Sequence, residues 1–180
     1  VRKLLQPQGI TCLTGFEQRQ GTRFIAEEVI RTLHNQGRSI LVVELEETTT
    51  NRGFWSLESI NEQTTKITLD CAKMMCQTTE EIQAVLVAQS RDHDQTIVVN
   101  SNFGEAFTLA LMAIATVNIV GVDTRLTPAK KIVEVDLLST EYQLPNVHFA
   151  VNRVGYNPSF IWEIFRGVKH SFRWIKTATK

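Results

Sequence analysis

Between residues 10 and 151 the sequence alternates short apolar runs rich in β-branched residues with amphipathic stretches of helical spacing. That order leaves few architectures open. Residues 10–13 form the first run, a polar loop covers 15–21, and Phe24, Ile25, Val29, Ile30 and Leu33 then recur at three- and four-residue spacing before a helix stop at Gly37. The run 40–43 is continuous, as in a strand buried on both faces of a parallel sheet. Further strands are expected at 66–69, 96–99, 118–122 and 147–151. Helices are expected at 79–89, started by Thr78 or Thr79 with Glu80 and Glu81 in the first turn, at 105–115, and at 128–138, opened by Thr127 and Pro128. Residues 44–62 are polar and acidic and read as a loop with at most a short helix. The expected fold is α/β: a doubly wound, mainly parallel sheet with helices on both faces, ligands sitting at the carboxyl ends of its strands.

The chain has 180 residues, enough to bury roughly 70% of its unfolded surface as one domain. Its 19 basic and 19 acidic side chains cancel, which argues against a nucleic-acid binder. No apolar run is long enough to span a membrane. Cys12, Cys71 and Cys76 form no CxxC pair and fit free thiols in a reducing compartment, Cys71 and Cys76 being expected to pack in the core beside Met74 and Met75. His34, His93, His148 and His170 lack metal-ligand spacing. A domain over 1–158 is followed by a different segment, 159–180, where Trp162, Phe165, Phe172 and Trp174 accompany Arg166, Lys169, Arg173 and Lys176. This reads as a basic amphipathic helix, expected either to pack on the domain or to lie at an anionic membrane surface or partner.

The first unit, Leu13-Thr14-Gly15-Phe16-Glu17-Gln18-Arg19-Gln20-Gly21-Thr22-Arg23-Phe24 followed by the strand that ends Glu44-Leu45-Glu46, resembles the nucleotide-binding entry of the MinD/ParA-like P-loop ATPases. Within them it is most similar to the cytoplasmic domain of the bacterial tyrosine kinases that accompany capsule and exopolysaccharide synthesis. Thr96-Ile97-Val98-Val99-Asn100-Ser101-Asn102 and Phe149-Ala150-Val151-Asn152-Arg153-Val154 resemble two later family segments, so the likeness runs over about residues 9 to 156. It implies a vestigial nucleotide site of Gly15, Arg19, Gly21, Thr22, Arg23, Asn152 and Arg153, with Asn152 in the family's base-contacting position.

The departures bear on chemistry. A phosphate loop needs a Lys to neutralise phosphate charge and a neighbouring Ser or Thr to hold Mg²⁺; Thr22 and Arg23 stand there instead. Arg19 replaces a loop glycine, Glu44 and Glu46 replace two Asp used around metal and water, and Asn100 replaces a metal-linked Asp. For the Glu pair, a solvated loop after a strand is the plainer reading. Asn100 and Asn102 also suit a turn, and Asp123, Arg125 and Thr127 suit a cap for the next helix. The expectation is a catalytically degenerate domain with no catalytic residues, no resident cofactor or metal, and ATP with Mg²⁺ as the only candidate ligands. It would act through a protein partner, an inner-membrane component of polysaccharide synthesis or export, or through self-association, at the cytoplasmic face of the membrane. The rival readings are an active NTPase or tyrosine kinase using Arg19 or Arg23, and a MinD/ParA-type positioning ATPase.

Overall fold

In the computed structural model the described residues are 9–16, 21–46, 53–100 and 102–152. The expected segment 159–180, with Arg19 and Arg153, lies outside them. Seven strands form one sheet: β1 (Ile10–Gly15), β2 (Ile40–Glu46), β3 (Trp55–Asn61), β4 (Thr64–Asp70), β5 (Gln95–Val99), β6 (Val117–Asp123) and β7 (Val147–Asn152), in the order β3-β4-β2-β5-β1-β6-β7. Every pairing is parallel except that of β3 with β4. The helices are α1 (Thr22–His34), α2 (Cys71–Met74), α3 (Thr79–Ser90), α4 (Ala106–Ile114) and α5 (Ala129–Glu141).

The apolar runs are continuous because the central strands are covered on both sides. On one face Leu13, Ile40, Val42, Ile97 and Ile119 pack against Ala26, Val29 and Leu33 of α1. On the other, Cys12, Leu41, Val43, Ile67, Val98 and Val120 meet Met74, Ile82, Leu86, Leu109, Met112 and Val135 of the remaining helices. Each fully buried aliphatic side chain contributes about 1.5–3 kcal/mol relative to exposure. Gly37 ends α1 as expected: its N–H donates to His34 O (2.8 Å) and that of Arg38 to Leu33 O (3.2 Å). Thr78 starts α3 with a reciprocal cap, its hydroxyl accepting from Glu81 N while the Glu81 carboxylate accepts from Thr78 N.

Three expectations are corrected. The polar stretch 44–62 is not simply a loop: β2 runs on through Glu46 and β3 pairs antiparallel with β4. Edge pairing is made by backbone, and β3 leaves Leu57 and Ile60 about half exposed, so no apolar face announces it. The N-cap of α5 is Pro128, which makes no side-chain cap hydrogen bond, and the described bonds of 123–127 run to the end of β6. Asp123 Oδ1 instead accepts from Arg125 N (2.9 Å), and Thr127 Oγ1 accepts from Asp123 N (3.1 Å), folding the chain back onto the end of β6. Cys76 and Met75 are exposed and Cys71 only half-buried, because α2 is a single turn that aims Met74 alone inward.

Candidate functional site at the strand ends

The carboxyl ends of β2 and β5 meet the first turn of α1 around a cleft of about 330 Å³ lined by Thr22, Arg23, Glu44, Leu45, Glu46, Val99 and Asn100. This is the crevice where a doubly wound sheet takes its ligands. The sequence-derived residues Glu44, Glu46, Asn100, Thr22 and Arg23 are brought together here, and Gly15, Gly21 and Asn152 stand around the start of α1.

Thr22, the first residue of α1, is 2% exposed. Its side chain is wedged between two strand-end glycines: a β-carbon on Gly15 would fall 2.1 Å from Thr22 Oγ1, and one on Gly121 would fall 3.3 Å from it. Among the described residues the buried hydroxyl has no hydrogen-bond partner, and packing between the two glycines holds it there. Gly21 precedes it with φ 87° and without a side-chain cap. The Asn152 carboxamide packs against Gly21, its Nδ2 lying 2.1 Å from where a β-carbon would be. Asn152, which the sequence resemblance sets in a base-contacting position, abuts Gly21 at the start of α1. Arg23 is turned along the helix surface, Nε 3.3 Å from Glu27 Oε1, in an exposed pair worth about 0.3–0.5 kcal/mol.

Across the cleft, Glu44 and Glu46 project from the same face of β2 and both reach Lys66 of β4. Lys66 Nζ lies 2.7 Å from Glu44 Oε2 and 3.1 Å from Glu46 Oε1. The parallel register Val42↔Lys66 puts the ammonium within reach of both. The Glu44 hydrogen bond, then that of Glu46 and the two negative charges, hold the lysine above its ordinary pKa against the opposing effect of partial burial. In the sequence Lys66 reads only as the first residue of a strand, and the adjacency of β2 and β4 is what joins it to the two glutamates.

Asn100 is also engaged. Its Nδ2 donates to the buried Thr108 hydroxyl, which in turn donates to Asn102 O (2.8 Å), and its Oδ1 accepts from Asn102 N (3.3 Å). This is the turn-forming use of an asparagine. Among the described residues no group of three or more His, Cys, Asp or Glu could hold a metal ion, and no helix is long and apolar enough to cross a membrane.

Neither a family model nor a curated protein matches the chain. Solved structures do. A ParA-family ATPase from Chlorobium tepidum superposes with a TM-score of 0.71 at 12% identity, over 89% of this chain and 80% of that one. The kinase domain of the Escherichia coli tyrosine kinase Etk gives 0.65 at 9% identity, over 83% and 71%. The cobyrinic acid a,c-diamide synthase of Mycobacterium smegmatis, solved with a bound ATP analogue and magnesium, gives 0.68 at 12% identity, over 92% and 83%. At such identities the likeness is one of fold: the chain has the mostly parallel, helix-flanked sheet of the MinD/ParA-like P-loop ATPases.

Proposed function

We propose that this chain is a P-loop-fold domain that has given up nucleotide hydrolysis and works through protein contacts, as a regulatory or assembly module. The observation that carries the reading is the prior engagement of the polar groups at the strand ends. Thr22 is packed where the fold's phosphate-binding lysine would stand, Lys66 holds Glu44 and Glu46, and Thr108 holds Asn100. Phosphoryl transfer depends on cations aimed at charge that develops in the transition state, and each 1.36 kcal/mol of lost stabilisation is about tenfold in rate. A site with no lysine in that position, and with its two carboxylates sharing one lysine, supplies little of it.

The setting proposed for the module is bacterial polysaccharide synthesis or export at the cytoplasmic face of the inner membrane, with an inner-membrane protein or a second copy as partner. This rests on the sequence resemblance to the capsule-associated tyrosine kinases, and the shared fold with the Etk kinase domain is compatible with it. Calorimetric titration with ATP and Mg²⁺, together with a hydrolysis assay, tests the reading. Heat of binding without turnover, or neither, is expected. Turnover at the rate of an ordinary family ATPase ends it, and Arg23→Ala would then tell whether that arginine has taken over the phosphate charge.

A further inference from the structure

Members of this fold use a divalent cation, as the magnesium in the Mycobacterium smegmatis synthase shows for that protein. A divalent cation at the end of β2 would need the carboxylate oxygens of Glu44 and Glu46, since hard cations are held by convergent oxygen ligands. Those oxygens already converge, on Lys66 Nζ. The ammonium is no passing surface partner: its side chain is 22% exposed and that of Glu44 29%. Parallel pairing of β2 with β4 in register along seven positions fixes the distance between them. The carboxylate pair as it stands does not fit a metal.

We propose that Lys66 is a tethered cation that takes the place of a divalent metal beside β2, so that whatever occupies the cleft does so without a metal at Glu44 and Glu46. Two consequences follow from the charges. Of the described residues lining the cleft or paired to them, Arg23 and Lys66 are positive and Glu27, Glu44 and Glu46 negative. Without a metal to offset it, a polyphosphate meets no surplus of positive charge among these described residues. Removing the lysine charge should also release a latent cation site, because two carboxylates brought to one point repel each other until a counter-ion joins them.

The test is Mn²⁺ titration of the intact chain followed by electron paramagnetic resonance, with no nucleotide present. The metal is added alone, so the outcome speaks to the carboxylate pair and not to whether the domain works by contacts. The natural sequence should bind Mn²⁺ no more tightly than the Glu44→Gln/Glu46→Gln double variant. Lys66→Met should bind it at least about tenfold more tightly than the natural sequence, a gain of about 1.4 kcal/mol, and adding Glu44→Gln to Lys66→Met should abolish the gain. Lys66→Gln, of similar length and uncharged, replaces Lys66→Met should that variant fail to fold. Tighter binding by the natural sequence than by the double Gln variant overturns the inference, as does a folded Lys66 variant that gains nothing.

Discussion

The hydroxyl of Thr22 occupies the space that a β-carbon on Gly15 would need, 2.1 Å from where that atom would fall. Gly15→Ala should therefore cost about 1–3 kcal/mol, the usual penalty of overpacking a full site. The Thr22 β-carbon stands at an ordinary 3.5 Å, so Gly15→Ala/Thr22→Ala should recover most of the loss. Urea denaturation of the two single variants and the double gives the coupling energy. Simple additivity would show that the overlap is not the cause.

Placing a lysine at position 22 should not by itself produce nucleotide hydrolysis. The slot between Gly15 and Gly121 accepts a threonine, so the side chain in Thr22→Lys must leave it, while Asn100 stays bonded to Thr108 and the two glutamates to Lys66. Phosphate release from ATP and Mg²⁺ should stay at the level of the unmodified chain. Clear turnover from this one change would mean that the rest of the constellation is intact.

Asn100→Asp should destabilise the fold by about 1–3 kcal/mol at neutral pH, because a carboxylate oxygen would replace a donor that faces the Thr108 hydroxyl in a buried position. The hydroxyl proton is already committed to Asn102 O and has little reason to turn. Burial would raise the new carboxyl group's pKa, so the deficit should shrink as the pH falls and the group protonates. Thermal melts at pH 4.5 and 7.5 measure the difference, and an equal deficit at both would refute the assignment.

Thiol labelling should proceed in the order Cys76, Cys71, Cys12. Cys76 is exposed and Cys71 half-buried, whereas Cys12 is fully buried, and burial pushes its thiol up to about 12. Intact-mass spectra during maleimide treatment should show two additions in native buffer and a third only in denaturant. A third addition before unfolding would contradict the position of Cys12 in the core.

The two ends of the pH scale should report different contacts. Lys66 has a folded pKa above its ordinary 10.5, so its contribution is fully present below 10.5 and is lost as the pH rises through the folded value. The stability gap between the natural chain and Lys66→Met, about 0.2–1 kcal/mol near neutrality for a partly exposed pair, should close in strong alkali. Asp94 is held below its ordinary 3.8, first by the backbone N–H of Ser39 and then by its hydroxyl. Its contribution is present above 3.8 and is lost as the pH falls through the lower folded value, so Asp94→Asn should flatten the acid limb of the stability curve. A gap that persists unchanged above pH 11 would sink the Lys66 assignment.

What could be read from the sequence follows from how each feature is made. The runs 40–43 and 96–99 identify central strands because β2 and β5 are covered on both faces, and burial of that kind leaves an unbroken apolar signature. The strand β3 leaves no such trace. Trp-Ser-Leu-Glu-Ser-Ile-Asn is held by its backbone bonds to β4, and Leu57 and Ile60 stay half in water. The lack of a lysine at position 22 is visible at once, but the descent of Thr22 between two glycines needs the β1–β6 pairing that brings Gly15 beside Gly121. Lys66 lies 20 and 22 residues from its two carboxylates, and only the alignment of two non-consecutive strands joins them. Asp123 and Thr127 have the chemistry of caps, and sequence alone does not say that the backbone they serve belongs to the preceding strand.

The contact between Asn152 and Gly21 ties the outermost strand of the sheet to the bend that opens the first helix. A chain emerging from the ribosome can wind α1 before Asn152 has been made, so the carboxamide that abuts this bend joins it only after β7 is in place. A product truncated just ahead of β7 would carry every described cleft-lining side chain and lack the Asn152 carboxamide that sits against Gly21.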